Sequence, residues 1–109
     1  MPQFVVMSRD VPKEGDSLAP IAPRNELLRD LARYNTSPES TDEADVLYGP
    51  GIRLELPPGQ DPIVQMLLTL TEEEIGWLVL RRLAGDFNWR VVDPENGREW
   101  TPPNDDRKA

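Results

Sequence analysis

The sequence predicts an α+β fold: a small antiparallel sheet of two strands, a helix and then a hairpin, with the helix packed on one sheet face. Two observations carry this prediction. Residues 71–85 place apolar side chains at helical spacing. Residues 51–57 and the strands of the 87–100 segment alternate apolar and polar residues with the period of strands. Residues 1–46 lack such regularity over most of their length, which indicates a mostly irregular N-terminal arm with one short helix.

The N-terminal arm contains one clearly periodic element. Leucines and a tyrosine between positions 27 and 34 recur at helical spacing, and Pro23 suits a first helical turn, so we expect a short helix near 24–34. The segment QFVVM, 3–7, could form a short strand. Residues 36–45 carry four acids, no base and no large apolar side chain, which predicts a flexible acidic linker. We therefore expect proteolysis within the linker to leave a folded fragment that begins near Tyr48.

The α+β domain is expected over residues 47–101, with a disordered C-terminal tail at 102–109. In GIRLELP, 51–57, apolar and polar residues alternate as in a half-buried strand. The segment IVQMLLTL, 63–70, is nearly all apolar, so both a strand and a helix fit it. We favour a strand here, because a much better helix begins directly after it.

That helix is expected over residues 72–84. Thr71 and Glu74 have the spacing of a capping box, and Gly85 can supply the C-terminal stop. Gly76 lies in the apolar arc, which indicates a close approach of the helix to the sheet. The arc predicts that five side chains face the sheet: Ile75, Leu78, Val79, Leu80 and Leu83.

The segment FNWRVVDPENGREW, 87–100, predicts a hairpin. Its loop, DPENGR, places a proline where a type I turn favours one and a glycine at the position of positive φ. If Asp93 opposes Arg98, then Val91 opposes Trp100, and strand alternation puts Trp89 on the same face as both. The two tryptophans of the hairpin are therefore predicted to belong to the core.

Composition limits the chemistry of this chain. It contains no cysteine and no histidine, which excludes thiolate nucleophiles, disulfides, imidazole bases and the usual zinc and haem ligands. A net charge of −8 argues against binding to a nucleic-acid backbone. No stretch is apolar enough to span a membrane, and the N-terminus lacks the pattern of a secretory signal. We therefore expect a cytoplasmic protein with neither nucleic-acid nor membrane partners.

No residue pattern indicates catalysis. The three glutamates at 72–74 could act as acid–base groups or Mg²⁺ ligands, but consecutive helix positions point in different directions and capping accounts for them. We assign no catalytic, cofactor-binding or metal-binding residue, and we expect no cofactor. The leading hypothesis is a small non-catalytic protein-interaction module. The alternative is a carboxylate-based or metal-dependent small enzyme.

One candidate partner surface lies on the predicted helix. Trp77 falls outside the apolar arc, and Arg81 follows one turn later with Arg82 beside it. Tryptophan and arginine are enriched in binding hot spots, and an i, i+4 pair of this kind can stack. Trp77, Arg81 and Arg82 are therefore predicted to contact another protein or a second copy of the chain.

Overall fold

A computed structural model describes residues 2–12, 14–15, 18–39 and 45–100. The elements follow in the order β1 (Gln3–Ser8), α1 (Arg24–Ala32), β2 (Val46–Gly49), β3 (Ile52–Glu55), β4 (Gln65–Leu70), α2 (Glu73–Asp86), β5 (Trp89–Val92) and β6 (Glu99–Trp100). The α+β class is as predicted. The sheet is larger than predicted: it has six strands in the order β2-β3-β4-β1-β5-β6, each antiparallel to its neighbours.

Strand β1 corrects the predicted architecture. It lies in the middle of the sheet and pairs with β4 on one side and with β5 on the other. The prediction of a small sheet is therefore wrong, because the strand that joins the two halves of the sheet comes from the N-terminal segment. QFVVM is too short to show a period, so the sequence pattern does not reveal where this strand lies in the sheet. Its position is set by pairing with strands that are far away in the sequence.

In the inner part of the sheet, two strands that are connected through a helix lie on either side of a third strand. Helix α1 lies between β1 and β3 in the chain, and these two strands flank β4 in the sheet. Helix α2 connects β4 to β5, which flank β1. This is the split β-α-β arrangement. Strands β2 and β6 extend it by one strand at each edge.

One face of the sheet carries the core, and both helices contribute to it. Alternate residues of the strands point to this face, as the two-residue period requires. Leu27 and Leu31 of α1 and Leu80 and Leu83 of α2 join the same buried cluster. Ala84 of α2 and two residues between β3 and β4, Leu56 and Ile63, also belong to the cluster. The strands supply its remaining members: Phe4, Val6, Leu47, Ile52, Leu54, Met66, Leu68, Leu70, Trp89 and Val91.

The hairpin follows the predicted register. Val91 is paired with Trp100, and the Asp93 amide donates to the Arg98 carbonyl at 2.8 Å. Gly97 has a φ of 71°, as its place in the loop requires. Trp89 is buried in the core, and Trp100 is partly buried and packs against the core.

The apolar segment before α2, 63–70, fitted both a strand and a helix. It contains the strand β4, as predicted, and not a helix.

Helix α2 begins and ends differently from the prediction. Its N-cap residue is Glu72, which forms no side-chain capping hydrogen bond, so the predicted capping box is absent. The carbonyl of Gly51 instead accepts the amides of Thr71 at 2.8 Å and of Glu72 at 3.2 Å. At the other end the helix continues through Gly85, and the residue with positive φ is Asn88. A contact from outside the helix therefore replaces the local start signal.

The buried face of α2 is rotated relative to the predicted apolar arc. Its buried residues are Gly76, Leu80, Leu83 and Ala84, whereas Ile75 is 45% exposed and Leu78 is 68% exposed. The reason is the close approach of Gly76 to Gly51 at the β2–β3 turn. This contact fixes which side of the helix faces the sheet, and Leu78, two positions later, lies on the opposite side.

We expect Gly76→Ala to destabilise the fold and Gly85→Ala, in the same helix, to stabilise it. A Cβ at Gly76 would lie 2.5 Å from the Gly51 carbonyl oxygen, whereas a Cβ at Gly85 would meet nothing within 4 Å. Overpacking should lower the free energy of unfolding by about 1–3 kcal/mol. Removing the flexible glycine at position 85 should raise it by up to about 1 kcal/mol. Urea denaturation measures both, and equal effects would contradict the close Gly51–Gly76 contact.

Candidate functional site

Trp77 lies on the flank of α2, where the helix meets the edge of the sheet. Its ring centroid is 5.6 Å from that of Phe4 on β1, in an edge-on arrangement, and 5.5 Å from that of Trp100 on β6. These contacts leave Trp77 partly buried against the core. Three elements therefore hold the indole in place, while part of it remains accessible.

Four residues around this indole form one continuous surface. Trp77, Leu78, Arg81 and Trp100 line a shallow cavity of about 260 Å³, which we call the Trp77–Trp100 surface. Its most exposed apolar member is Leu78. The surface thus combines two aromatic rings, an aliphatic side chain and a guanidinium group. This composition is typical of sites that receive an apolar side chain of a partner.

The structure brings together two of the three residues predicted for a partner surface. Trp77 and Arg81 line the same cavity, but Arg82 lies apart from it. The guanidinium carbon of Arg82 is 5.3 Å from the centroid of the Tyr34 ring, and its Nε is 3.9 Å from Oδ2 of Asp86. Arg82 therefore belongs to the contact between the two helices.

That contact is a small cluster at the C-terminal ends of α1 and α2. The Tyr34 hydroxyl donates to Asp86 Oδ2 at 2.8 Å, and the Tyr34 ring lies 5.2 Å from the Phe87 ring. The hydrogen bond to Asp86 raises the pKa of Tyr34 above its ordinary value of 10.0, and partial desolvation adds to the effect. The cluster joins the helices, so Arg82 has a structural role here.

Leu78 and Trp100 also belong to the Trp77–Trp100 surface, although the sequence patterns did not predict them there. Leu78 was predicted to face the sheet and Trp100 to lie in the core. Gly76 could have indicated the correct side for Leu78. A glycine at the point where a helix most closely approaches the sheet marks the buried side of the helix, and Leu78 lies on the other side. No comparable signal marks Trp100, whose position depends on β6 lying at the edge of the sheet.

The acidic residues of the described ranges do not converge. Glu72, Glu73 and Glu74 are all exposed at the start of α2. Among the described residues, no group of three or more acidic side chains is placed to hold a metal ion.

In the part of the chain that the structure describes, no helix has both the length and the apolar character needed to cross a membrane.

Comparison of the chain with known protein families, with characterised proteins and with solved structures finds no match. A function for the Trp77–Trp100 surface must therefore be argued from its own residues and their geometry.

Proposed function

We propose that this chain is a small non-catalytic module that binds another protein through the Trp77–Trp100 surface. One observation carries the proposal: Leu78 is 68% exposed and lines the same cavity as two tryptophans that pack against the core. Burying a leucine side chain stabilises a complex or fold by about 1.5–3 kcal/mol. An exposed leucine that adjoins two rigid aromatic rings is therefore a favourable contact point for a partner.

The aromatic contacts prepare this surface for binding. Trp77 is held between Phe4 and Trp100, with ring centroids 5.6 and 5.5 Å away. Side chains that are already ordered lose little conformational entropy when a partner docks, so more of the contact energy appears as affinity. Mutual packing of the two indoles also presents a large apolar area with few rotatable bonds.

Arg81 adds a charged group to this apolar surface and so restricts which partners fit it. Its guanidinium places a positive charge at the border of the cavity, which favours a partner with a carboxylate or a carbonyl oxygen nearby. We therefore propose a partner that inserts an apolar side chain into the cavity and carries an acidic or carbonyl group beside it. A cytoplasmic location completes the proposal, and the absence of cysteine from the sequence fits it.

A single substitution at the centre of the surface tests this function. Leu78→Asp should weaken binding of the partner at least about tenfold, because a carboxylate would replace the apolar contact. The fold should be unaffected, since position 78 lies outside the core. The measurement is quantitative affinity purification from the native cell extract, followed by calorimetry with the partner that the wild-type chain retains.

Val11→Asp is the matched control, because Val11 is 89% exposed and lies outside the Trp77–Trp100 surface. The control should bind as the wild-type chain does. If Leu78→Asp retained the same proteins at the same affinity, the Trp77–Trp100 surface would not be the binding site.

A further inference from the structure

The two edges of the sheet differ in how far the chain itself covers them. At the β2 edge, the Ser37 amide donates to the Tyr48 carbonyl at 3.2 Å, and the Tyr48 amide donates to the Ser37 carbonyl at 2.9 Å. Strand β6 forms the other edge. In the part of the chain that the structure describes, no backbone segment pairs with the outer side of β6. A strand edge of this kind is a template for a further strand.

The ladder between β5 and β6 shows which backbone groups face outward. The Asp93 amide donates to the Arg98 carbonyl at 2.8 Å, so these two residues form a hydrogen-bonded pair. Such pairs alternate with non-hydrogen-bonded pairs along an antiparallel ladder, so the next hydrogen-bonded pair is Val91 with Trp100. Between them, Glu99 directs its N–H and its C=O away from β5. Within the described ranges, no hydrogen bond occupies either group.

The Trp77–Trp100 surface lies beside this edge. Trp100 contributes its indole from β6, and Trp77 and Leu78 line the same cavity from α2. The Trp100 side chain points to the α2 side of the sheet, because Trp100 is paired with Val91 of the core cluster. A strand added to β6 would lie about 4.8 Å further out, and the residues before and after the one opposite Glu99 would point to the α2 side.

We propose that the partner binds as an extended segment that adds a strand to β6 and inserts an apolar side chain beside Leu78. This inference rests on the proposed function and specifies the backbone conformation of the partner. An outward N–H and C=O on one residue are matched by another extended backbone, which offers the same two groups in return. A helix uses these groups internally and would leave those of Glu99 unmatched.

The backbone pairing is short, because Glu99 alone offers both groups within β6. Its two hydrogen bonds set the direction and the register of the segment. Burial of the apolar side chain in the cavity supplies most of the affinity, since a hydrogen bond that replaces one to water contributes little net free energy.

The side chains along β6 set the chemistry of the segment. The residue opposite Trp100 faces the cavity and should be apolar. The residue opposite Glu99 should not be acidic, because like charges directly opposite each other are destabilising. Arg98 is exposed and lies two positions before Trp100, on the same side of the ladder, so an acid opposite it gains an ion pair. We therefore expect an extended segment with an apolar and an acidic residue two positions apart.

Peptides of ten residues that the wild-type chain selects from a random library test this mode of binding. Their affinities are measured by calorimetry for the variants Glu99→Pro and Glu99→Ala. Both variants lose the same carboxylate, but only proline removes the outward N–H. Glu99→Pro should therefore bind at least about fivefold more weakly than Glu99→Ala. Both should remain folded by circular dichroism, because an edge strand tolerates a proline whose nitrogen faces away from the ladder.

Amide hydrogen exchange, measured by NMR on the wild-type chain, covers the case in which Glu99→Pro fails to fold. A bound peptide should slow exchange of the Glu99 amide at least about tenfold. The amide of Val11, an exposed residue outside the surface, should keep its rate.

Equal binding by folded Glu99→Pro and Glu99→Ala would overturn the added strand. So would a Glu99 amide that exchanges equally fast with and without the peptide, or a library that yields no binding peptide. Leu78→Asp separates these results from a failure of the proposed function. Peptides that lose affinity for Leu78→Asp occupy the Trp77–Trp100 surface even where the strand is disproved, whereas peptides that bind Leu78→Asp like the wild type contradict the surface itself.

Discussion

Val6→Asp will unfold the whole chain, whereas Val11→Asp will leave its stability nearly unchanged. Val6 is 0% exposed in the central strand β1, paired in register with Met66 on one side and Val91 on the other. An ionised carboxylate buried there without a partner costs several kcal/mol or more, comparable with the roughly 5–15 kcal/mol that stabilises a small domain. Val11 is 89% exposed, so its aspartate stays in water.

Circular dichroism and urea denaturation measure this difference. A Val6→Asp chain that unfolds as cooperatively as the wild type, at a similar urea concentration, would mean that β1 is not in the sheet.

The position of β1 in the middle of the sheet also changes what is expected of the proteolytic fragment. A fragment that begins near Tyr48 lacks both β1 and α1, so it should not remain folded after the cut. The predicted linker is only partly described: residues 40–44 lie outside the described ranges, as does the 102–109 tail.

Trp89→Ala will lower the free energy of unfolding by about 3–5 kcal/mol, the usual cost of deleting a buried aromatic side chain. Trp89 is 1% exposed and stacks on Phe87 with the ring centroids 5.5 Å apart. The surrounding core can close only part of the space that the indole leaves. Trp77→Ala is the matched control and should cost clearly less, because Trp77 is only partly buried. Equal losses from the two substitutions in urea denaturation would contradict the different burial of the two rings.

Local patterns were sufficient for the elements whose signals lie within a few residues of one another. The hairpin register followed from the loop sequence around Pro94 and Gly97, and α1 followed from its leucines. β1 could not be placed in the same way. Nothing in QFVVM indicates that it pairs with β4 and β5, which follow it more than fifty residues later in the chain. Long-range pairing of this kind decides the sheet order, and a single sequence does not reveal it.

The same contrast between local signals and long-range contacts applies to the single side chains of the Trp77–Trp100 surface. Trp77 and Arg81 were predicted because they share one helix and lie one turn apart. Leu78 was assigned to the wrong side, because the rotation of α2 depends on the contact between Gly76 and the distant Gly51. Trp100 belongs to the surface because β6 ends the sheet beside α2. The chemistry of the surface was therefore visible in the sequence, and its full membership was not.

Site-specific photo-crosslinking from position 78 tests the central claim most directly, since it detects contact with a partner and needs no assumption about which partner binds. A crosslinking residue at position 78 should give a discrete product with another protein in the native cell extract. The same residue at position 11, which is also exposed, should not give that product. A product specific to position 78 is the result that a binding site at the Trp77–Trp100 surface predicts. Identical patterns from positions 78 and 11, or no product from position 78, would contradict it.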